Sequence, residues 1–520
     1  MKNFKDSQKG ILFLILIILL LLPAAVSCQN NPGNNGNSNA GQNNQNNQNN
    51  QSNQNNQNNQ NEEKSDTAGE NPPDTAPGWE YAYPAADGGG RDFTFFSPIA
   101  DWGYYTDIIR NEITGEILDD TIYNRNRFIE QQFNIELKAV ERDIGEITGA
   151  LRRVIASGDA AYDAAYVPAF FGGNVGALIN DNMLYNLYDI PAMNLDREWY
   201  NRTMLKEAAL GKGRQVYYVG CDINIMTVQS VVFIYFNQDM MSDLGIELPY
   251  NAVREGKWTY DLFYQYMGYG TNLNGAESFR YDPNGQTTYG FAAHGNGAMA
   301  LFEGSGERFI FADPNGIPQL AIEGERFLNA LGKVEDLLVN SPEGYFLYAA
   351  DNPHFETALK NGRSLMITGE LKAADAFRDM EATFGIAPMP KFDEYQENYF
   401  CHNHFGTPVL VVPNTNTEPD FTGAIIDAMA YLSAKDVTPV LFDVSVSQKR
   451  LRNEESIEML QIIKNSGSFD VGSAYGWTTD FYNSIMSTLG MGRTFSAASQ
   501  IERSRDKIIA NIEKTMEIFE

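Results

Sequence analysis

The chain has 520 residues and a formal net charge of -29 at pH 7. Such an acidic chain is a poor fit to nucleic acid or to anionic lipid head groups, so no nucleic-acid partner is expected. Its three cysteines are too few for a disulfide framework. Roughly 440 residues follow the low-complexity N-terminal stretch, and this length predicts two lobes of ordinary domain size.

Residues 1–27 are predicted to be a secretory signal peptide. Three lysines precede an apolar run at residues 11–22, which is shorter than the about 20 residues of a membrane-spanning helix. Ala-Val-Ser at residues 25–27 then leads to Cys28. This ending resembles a bacterial lipobox, which implies a lipid on Cys28 and a place on the outer face of the cytoplasmic membrane. The alternative is ordinary secretion with an incidental cysteine.

The next stretch predicts a flexible tether. Residues 29–61 are nearly all Asn, Gln, Gly and Ser, and acidic residues and prolines continue the stretch. This composition buries no apolar surface that could offset the entropy of ordering. Residues 28–89 are therefore predicted to be a lipidated cysteine and a disordered tether that hold a folded domain away from the membrane.

The folded part begins with alternating strands and helices. The segments DFTFFSP, NIELKAV and YDAAYVP predict strands, and DDTIYNRNRFIEQQF and GEITGALRRVIASG between them predict amphipathic helices. This order is typical of an α/β fold with a parallel sheet. Further strands are predicted at VYYVG, QSVVFIYFN, RSLMITGE, FGIAPMP and TPVLVVP, and the last helix at IERSRDKIIANIEKTMEIFE.

Aromatic residues follow two of the predicted strands. Trp102 comes after the first strand and Phe170 after the third, at the carboxyl ends where ligand sites of α/β sheets open. Aromatic planes cover the apolar faces of sugar rings, while polar side chains bond the hydroxyl groups. Both residues are therefore candidates for a sugar-binding cleft, with core packing as the alternative.

Several segments resemble a known family. In chain order they are YFNQDMMSDLGIELP, GKWTYDLF, FETALKNGRSLMITGE, FGIAPMPKFDE and GTPVLVVPNTNTEPDFTGAIIDAMAYLSA. They resemble stretches of extracellular solute-binding proteins of family 1, the carbohydrate-type binders of ABC importers related to maltose-binding proteins. The resemblance implies a monomer that captures a sugar or oligosaccharide and delivers it to membrane permease subunits, with no cofactor and no catalysis.

The resemblance also implies a two-lobed fold of the periplasmic-binding-protein type (type II). Its discontinuous lobes are joined by hinge strands near residues 221–227, 367–371 and 413–419. Lobe one is expected at residues 90–223 plus 368–415, and lobe two at residues 224–367 plus 416–520.

The ligand site implied by the resemblance lies between these lobes. Trp477 is expected to stack on a sugar face, Asp222 to accept hydrogen bonds from hydroxyl groups, and His404 to close the pocket with Trp102. The remaining expected ligand-binding residues are Phe170, His294, Glu370 and Tyr475.

Other chemistry is less well supported by the sequence. His402 and His404 of the CHNH stretch could share a strand face with Cys401, but no further zinc ligand of suitable spacing follows, so no metal is predicted. The two DPNG segments, at residues 282 and 313, predict turns and not calcium loops.

Two other function classes stay open. One is an anchored polysaccharide-active enzyme, although no nucleophile elbow, HExxH motif or phosphate-binding loop is present. The other is a sensory or binding lipoprotein for another small solute. Cys221 and Cys401 are expected to be free and buried, with a disulfide as the alternative.

Overall fold

The computed structural model describes residues 80–100, 104–105, 108–170, 175–212, 215–349, 355–377, 379–447 and 454–519. The predicted signal peptide, Cys28, most of the tether and Trp102 lie outside the described residues. Residues 80–89, expected to end the disordered tether, instead pack on the fold, because the ring of Tyr81 stacks on that of Tyr431 with centroids 4.5 Å apart. Within the described part, no helix combines the length and the apolar character needed to span a membrane.

The described strands run through most of the chain. They are β1 (Arg91–Ala100), β2 (Tyr104–Tyr105), β3 (Ile135–Asp143), β4 (Ala164–Pro168), β5 (Val232–Asn237), β6 (Tyr289–Ala293), β7 (Ile310–Ala312), β8 (Pro318–Leu320), β9 (Phe346–Tyr348), β10 (Ser364–Glu370), β11 (Phe384–Ala387), β12 (Cys401–His402), β13 (Pro408–Val411) and β14 (Gly467–Ser468).

The helices are concentrated in the connections and at the C-terminal end. They are α1 (Ile117–Phe133), α2 (Ile147–Ala156), α3 (Val175–Asn180), α4 (Arg202–Ala208), α5 (Met226–Gln229), α6 (Gln238–Asp243), α7 (Tyr250–Arg254), α8 (Tyr260–Tyr269), α9 (Asn296–Gly304), α10 (Glu325–Leu338), α11 (Phe355–Lys360), α12 (Pro419–Leu432), α13 (Thr438–Ser447), α14 (Glu454–Ser466), α15 (Val471–Ala474), α16 (Thr479–Ser487) and α17 (Ala497–Met516). A π-helical turn, Ser433–Val437, links α12 to α13.

The first sheet contains β1, β2, β3, β4 and β13. β1 pairs in parallel with β3 and β4, and β13 pairs antiparallel with β4. Asn134 directly follows helix α1, and its φ of 50° lies in the left-handed region that asparagine tolerates better than most residues.

The strand pairings confirm the predicted order of strands and helices. Parallel pairing also places the carboxyl ends of β1 and β4 at one edge of the sheet.

The second sheet has the strand order β11-β5-β10-β6-β9. β10 is antiparallel to β5 and parallel to β6. All six residues of β5 are buried, which agrees with the continuous apolar run that predicts a central strand. VYYVG, by contrast, forms only an isolated bridge, Val219 to Leu410.

The chain crosses between the sheets at points that differ from the expected ones. β11 pairs with β5, so much of the range 368–415 belongs with the second sheet, although the sequence analysis assigns it to lobe one. Only β13 of that range joins the first sheet. Helix α12, expected in lobe two, packs in the apolar cluster that contains Phe93 of β1 and Ile129 of α1. Such pairing is decided by contacts distant in sequence, which local patterns do not report.

The two cysteines of the described part are free thiols. Cys221 and Cys401 are both buried, and burial raises the pKa of each thiol to about 12. The Cys221 sulfur lies 3.5 Å from the hydroxyl of Tyr166. The expectation of free, buried cysteines is confirmed, and both behave as small apolar core residues.

Candidate functional site

Two cavities were compared as candidate sites. The larger, about 660 Å³, is lined by Tyr188, Leu195, Asp196, Arg202, Leu205, Lys206 and Ala209. None of the expected ligand-binding residues is among them. The smaller, about 230 Å³, contains Phe170, which comes just beyond the carboxyl end of β4. We define this smaller space as the aromatic cavity and take it as the candidate site.

The aromatic cavity is bounded by parts of the chain far apart in sequence. Phe170 follows β4, and Phe405 precedes β13. The remaining lining residues come from α15 and α16, namely Ser473, Thr479, Tyr482, Asn483 and Met486. The four residues on α16 are spaced three or four apart and therefore share one helix face. That helix packs beside α9, which follows β6 of the second sheet.

Three aromatic rings form the apolar part of the wall. The rings of Phe170 and Tyr482 meet edge to face, with centroids 5.4 Å apart and planes at 67°. The backbone N–H of Phe170 donates to the carbonyl of Phe405 at 3.4 Å, which holds these two residues beside each other. Both phenylalanines are only half-buried, so their rings are accessible from the cavity.

Tyr482 is tied to buried polar groups behind the wall. Its hydroxyl lies 3.2 Å from Nε2 of His402, and Nδ1 of the same ring lies 3.0 Å from Oε2 of Glu303. All three side chains are buried. Nδ1 and Oε2 do not form a well-directed hydrogen bond, but the proton is assigned to Nδ1 because that atom faces the carboxylate, and Nε2 is then the acceptor of the tyrosine O–H.

His404 and Glu370 form a second pair beside the cavity. Nε2 of His404 lies 3.7 Å from Oε1 of Glu370, and Nδ1 accepts from the backbone N–H of Gly406 at 3.2 Å. The His404 ring also lies 3.8 Å from that of Phe405. Burial lowers the pKa of His404 to about 3 and raises the pKa of Glu370 to about 8. At neutral pH the imidazole is uncharged and most of the carboxyl is protonated.

Asp222 has partners away from the aromatic cavity. Its Oδ2 accepts from Nζ of Lys464 at 2.6 Å and from the hydroxyl of Thr438 at 2.8 Å. Lys464 lies on α14 and Thr438 begins α13. Asp222 therefore holds α13 and α14 to the segment around residues 221–227. Asp222 is not among the residues that line the cavity.

Trp477 and Tyr475 lie in the core, in contrast to the expected stacking position. Trp477 is 3% exposed, and its indole N–H donates to the hydroxyl of Thr515 at 3.0 Å. Its ring stacks on that of Tyr475 with centroids 4.8 Å apart. At Gly176 a Cβ would meet the Cα of Tyr475 at 2.5 Å, so the chain approaches too closely here for any other residue. A pair so enclosed packs the fold together and does not line the cavity.

The other expected site residues are dispersed. His294, at the end of β6, is exposed, and its ring centroid lies 6.5 Å from that of Tyr348. It is close enough to His404 to contribute to the lowered pKa of that residue. Trp102 is outside the described residues. Of the expected set, only Phe170 lines the cavity, while His404 and Glu370 lie beside it.

Tyr482, Asn483 and Met486 line the cavity but are not among the residues expected from the sequence. Their spacing from Thr479 is that of one helix face, but this signal is weaker than that of the neighbouring aromatic residues Tyr475 and Trp477. Within the described part, no group of three or more His, Cys, Asp or Glu residues is arranged to hold a metal ion. His402 and His404 instead contact Glu303 and Glu370 respectively.

No protein-family model matches the chain, and no match is found among curated proteins. Solved structures do match. The sugar-binding protein MalE from the phytopathogen Xanthomonas citri has a TM-score of 0.54 at 12% identity, covering 82% of this chain and 99% of its own. The cyclic alpha-maltosyl-1,6-maltose binding protein from Arthrobacter globiformis has a TM-score of 0.53 at 14% identity, covering 82% and 100%.

A third match is an ABC substrate-binding protein from Listeria monocytogenes in complex with cycloalternan, with a TM-score of 0.50 at 14% identity and coverage of 82% and 99%. At these identities the likeness establishes the fold. The chain has the two-lobed α/β fold of periplasmic binding proteins, as the sequence predicts. These three relatives in fold are binding proteins by name, and each spans nearly the whole of its own length in the match.

Proposed function

We propose that this protein is an extracellular solute-binding lipoprotein that captures a sugar or oligosaccharide and delivers it to an ABC importer. The observation that carries the proposal is the aromatic cavity, in which Phe170, Phe405 and Tyr482 provide apolar surfaces beside the polar groups of Thr479 and Asn483. Sugar rings have apolar faces and hydroxyl rims, and such a wall complements both.

The position of the cavity supports capture by closure of the lobes. Phe170 extends from the first sheet, while α16 packs beside a helix of the second sheet. We propose a first lobe around β1–β4, β13, α12 and α13, and a second lobe around the second sheet with α14–α17. A ligand that contacts both walls would favour the closed arrangement, because it binds that arrangement more tightly than the open one.

The volume indicates the size of the bound unit. At about 230 Å³ the cavity is below the about 300–1,000 Å³ of typical ligand pockets. The cavity therefore suits a small unit such as one or two sugar rings, and the rest of a longer oligosaccharide would extend out of it. The protein would have no catalytic role, and the purified chain is expected to leave oligosaccharides uncleaved.

Binding is tested by a thermal-shift screen of the purified protein against monosaccharides, oligosaccharides, amino acids and polyamines. A ligand at a hundredfold excess over its Kd adds about 2.7 kcal/mol to the free energy of unfolding, and we expect such a shift with at least one sugar. Hits are confirmed by isothermal titration. A stabilising amino acid or polyamine with no response to any sugar would contradict the proposal.

The anchor is tested separately at Cys28. The bacterial lipoprotein anchor carries two or three acyl chains, which hold a protein firmly where a single chain binds only marginally. Cys28→Ala is therefore expected to release the protein into the medium, while Ser27→Ala, which leaves the cysteine in place, is expected to keep it on membranes. Retention of Cys28→Ala on salt-washed membranes would exclude the lipid anchor.

A further inference from the structure

The residues of the described part that line the aromatic cavity carry no charge. Its lining residues in the described part of the chain are three aromatic residues, one methionine and the hydroxyl or amide residues Ser473, Thr479 and Asn483. Sites that recognise carboxylate or phosphate groups ordinarily present Arg or Lys to them. This cavity presents none in that part.

Carboxylates lie directly behind the wall. Glu303 lies behind Tyr482, with His402 between them. Asp470 lies behind Ser473, whose backbone N–H donates to Oδ1 of Asp470 at 2.8 Å. Both acids are 2% exposed. An anion placed in the cavity would face these buried charges through a medium that screens poorly.

Two cations near this region, Arg308 and Lys507, have acidic or carbonyl partners. Arg308 is 2% exposed, its Nε lies 3.3 Å from Oε1 of Glu207, and its Nη1 donates to the carbonyls of Glu303 and Glu307. Lys507 pairs with Asp480 at 2.6 Å on the exposed side of α16. Neither cation is among the lining residues, so neither is positioned to neutralise a bound anion.

The hydrogen-bond polarity of Tyr482 agrees with this charge pattern. With Nε2 of His402 assigned as the acceptor of the tyrosine O–H, the phenol oxygen is left with lone pairs that can only accept. A ligand hydroxyl group can donate to such an oxygen, while a carboxylate or phosphate oxygen cannot.

We propose that the aromatic cavity selects uncharged sugar units and rejects units that carry a carboxylate, sulfate or phosphate group. This inference rests on the proposed function and narrows its substrate class to neutral sugars. An anionic unit would lose its hydration without gaining a positive partner, and such burial is strongly unfavourable.

The experiment compares matched ligands that differ in one group. Glucose is paired with glucuronate, galactose with galacturonate, and neutral oligosaccharides with uronic oligosaccharides of the same length, all by isothermal titration on the full-length protein. We expect each neutral sugar that binds to do so at least tenfold more tightly than its acidic counterpart. Equal or tighter binding of the acidic member would overturn the selectivity while leaving sugar binding intact. Binding by neither member of every pair would instead overturn the proposed function.

Two variants test the cause. Asn483→Lys places a cation on the lining face of α16 and is expected to reduce the preference for the neutral member at least threefold. Ala498→Lys adds the same charge at an exposed position of the neighbouring helix α17 that does not line the cavity, and is expected to leave the preference unchanged. Equal effects of the two variants would show that the preference comes from net charge and not from the wall.

Tyr482→Phe tests the acceptor assignment. It removes the oxygen but keeps the ring that faces Phe170, so we expect a loss of neutral-sugar affinity of about fivefold with little change in the affinity for the acidic member. Circular dichroism and a melting curve establish that the variant is folded. An unchanged neutral-to-acidic ratio in folded Tyr482→Phe would contradict the role of the hydroxyl group.

Discussion

Three aromatic residues lie close together around the start of α16, and they have different uses. Tyr475 and Trp477 stack together in the core, while Tyr482 contributes to the cavity wall with Phe170. All three would satisfy a search for sugar-stacking side chains. The difference shows that the environment of a ring, and not its position near a helix start, decides whether it packs the fold or meets a ligand.

The largest effect is expected from the core pair. Trp477→Ala removes a buried ring and its hydrogen bond to Thr515, and is expected to lower the free energy of unfolding by about 3–5 kcal/mol. The folded fraction should bind ligand with wild-type affinity. Urea unfolding beside isothermal titration measures both quantities, and Trp477→Phe serves as a milder control. A stable Trp477→Ala protein with weakened binding would place this ring in the site after all.

Asp222 raises the same question for a polar side chain, which could either stabilise the fold or bind the ligand. Asp222→Ala leaves Lys464, whose side chain is 23% exposed, without its acidic partner. We expect a loss of about 2 kcal/mol of stability, less than the about 3–5 kcal/mol of a fully buried pair because Lys464 keeps some contact with water. Binding should not change. A double-mutant cycle with Lys464→Met isolates the pair, and a large fall in affinity would return Asp222 to the ligand site.

Two acids with raised pKa values predict a pH dependence of stability. Burial raises the pKa of Glu207 to about 7 and that of Asp470 to about 6, so these two carboxyl groups bind more protons in the folded state than in the unfolded state between about pH 4 and pH 7. Stability is therefore lost as pH rises through these values. The lowered pKa of His404 acts in the opposite direction below about pH 6. We expect the free energy of unfolding to decrease by about 2 kcal/mol between pH 5 and pH 8. Urea unfolding at each pH measures this change.

The charge-neutral variant Glu207→Gln measures how much of this loss of stability comes from the titration of Glu207. It keeps an acceptor for the backbone N–H of Phe469 and should reduce the pH slope, whereas Glu136→Gln, at an exposed glutamate of β3, should not. Stability that rises from pH 5 to pH 8 would contradict the assignment.

The smallest free-energy change is expected at the cavity wall. Phe170→Ala removes a half-buried ring, so we expect a small change in melting temperature but a loss of affinity of about tenfold, or about 1.4 kcal/mol. Phe311→Ala, at a ring 42% exposed on β7, is the matched control and should bind normally. Wild-type affinity in folded Phe170→Ala would remove this ring from the site.

The sequence predicts the fold better than the site. Apolar runs such as that of β5 and helical periodicity such as that of α1 are local signals, and they identify these elements correctly, whereas VYYVG forms only an isolated bridge. Pairing of β11 with β5 is not local, so the expected lobe boundaries differ from the sheets. The site depends still more on distant contacts, because Phe170, Phe405 and Tyr482 meet only after folding. Phe170 could be identified since the carboxyl end of a parallel strand is a recurrent ligand position.

The pairing of β4 with β13 also bears on the order in which the chain can fold. Pro168 of β4 and Pro408 of β13 are register partners. The first sheet is therefore complete only after β13 has been synthesised, 240 residues after β4 (408 minus 168). Until then one edge of β4 has no partner, and open strand edges promote association between chains. Contacts of such long range slow folding. A nascent or secreted chain that ends before residue 408 should therefore be prone to aggregate, whatever its content of correctly formed helices.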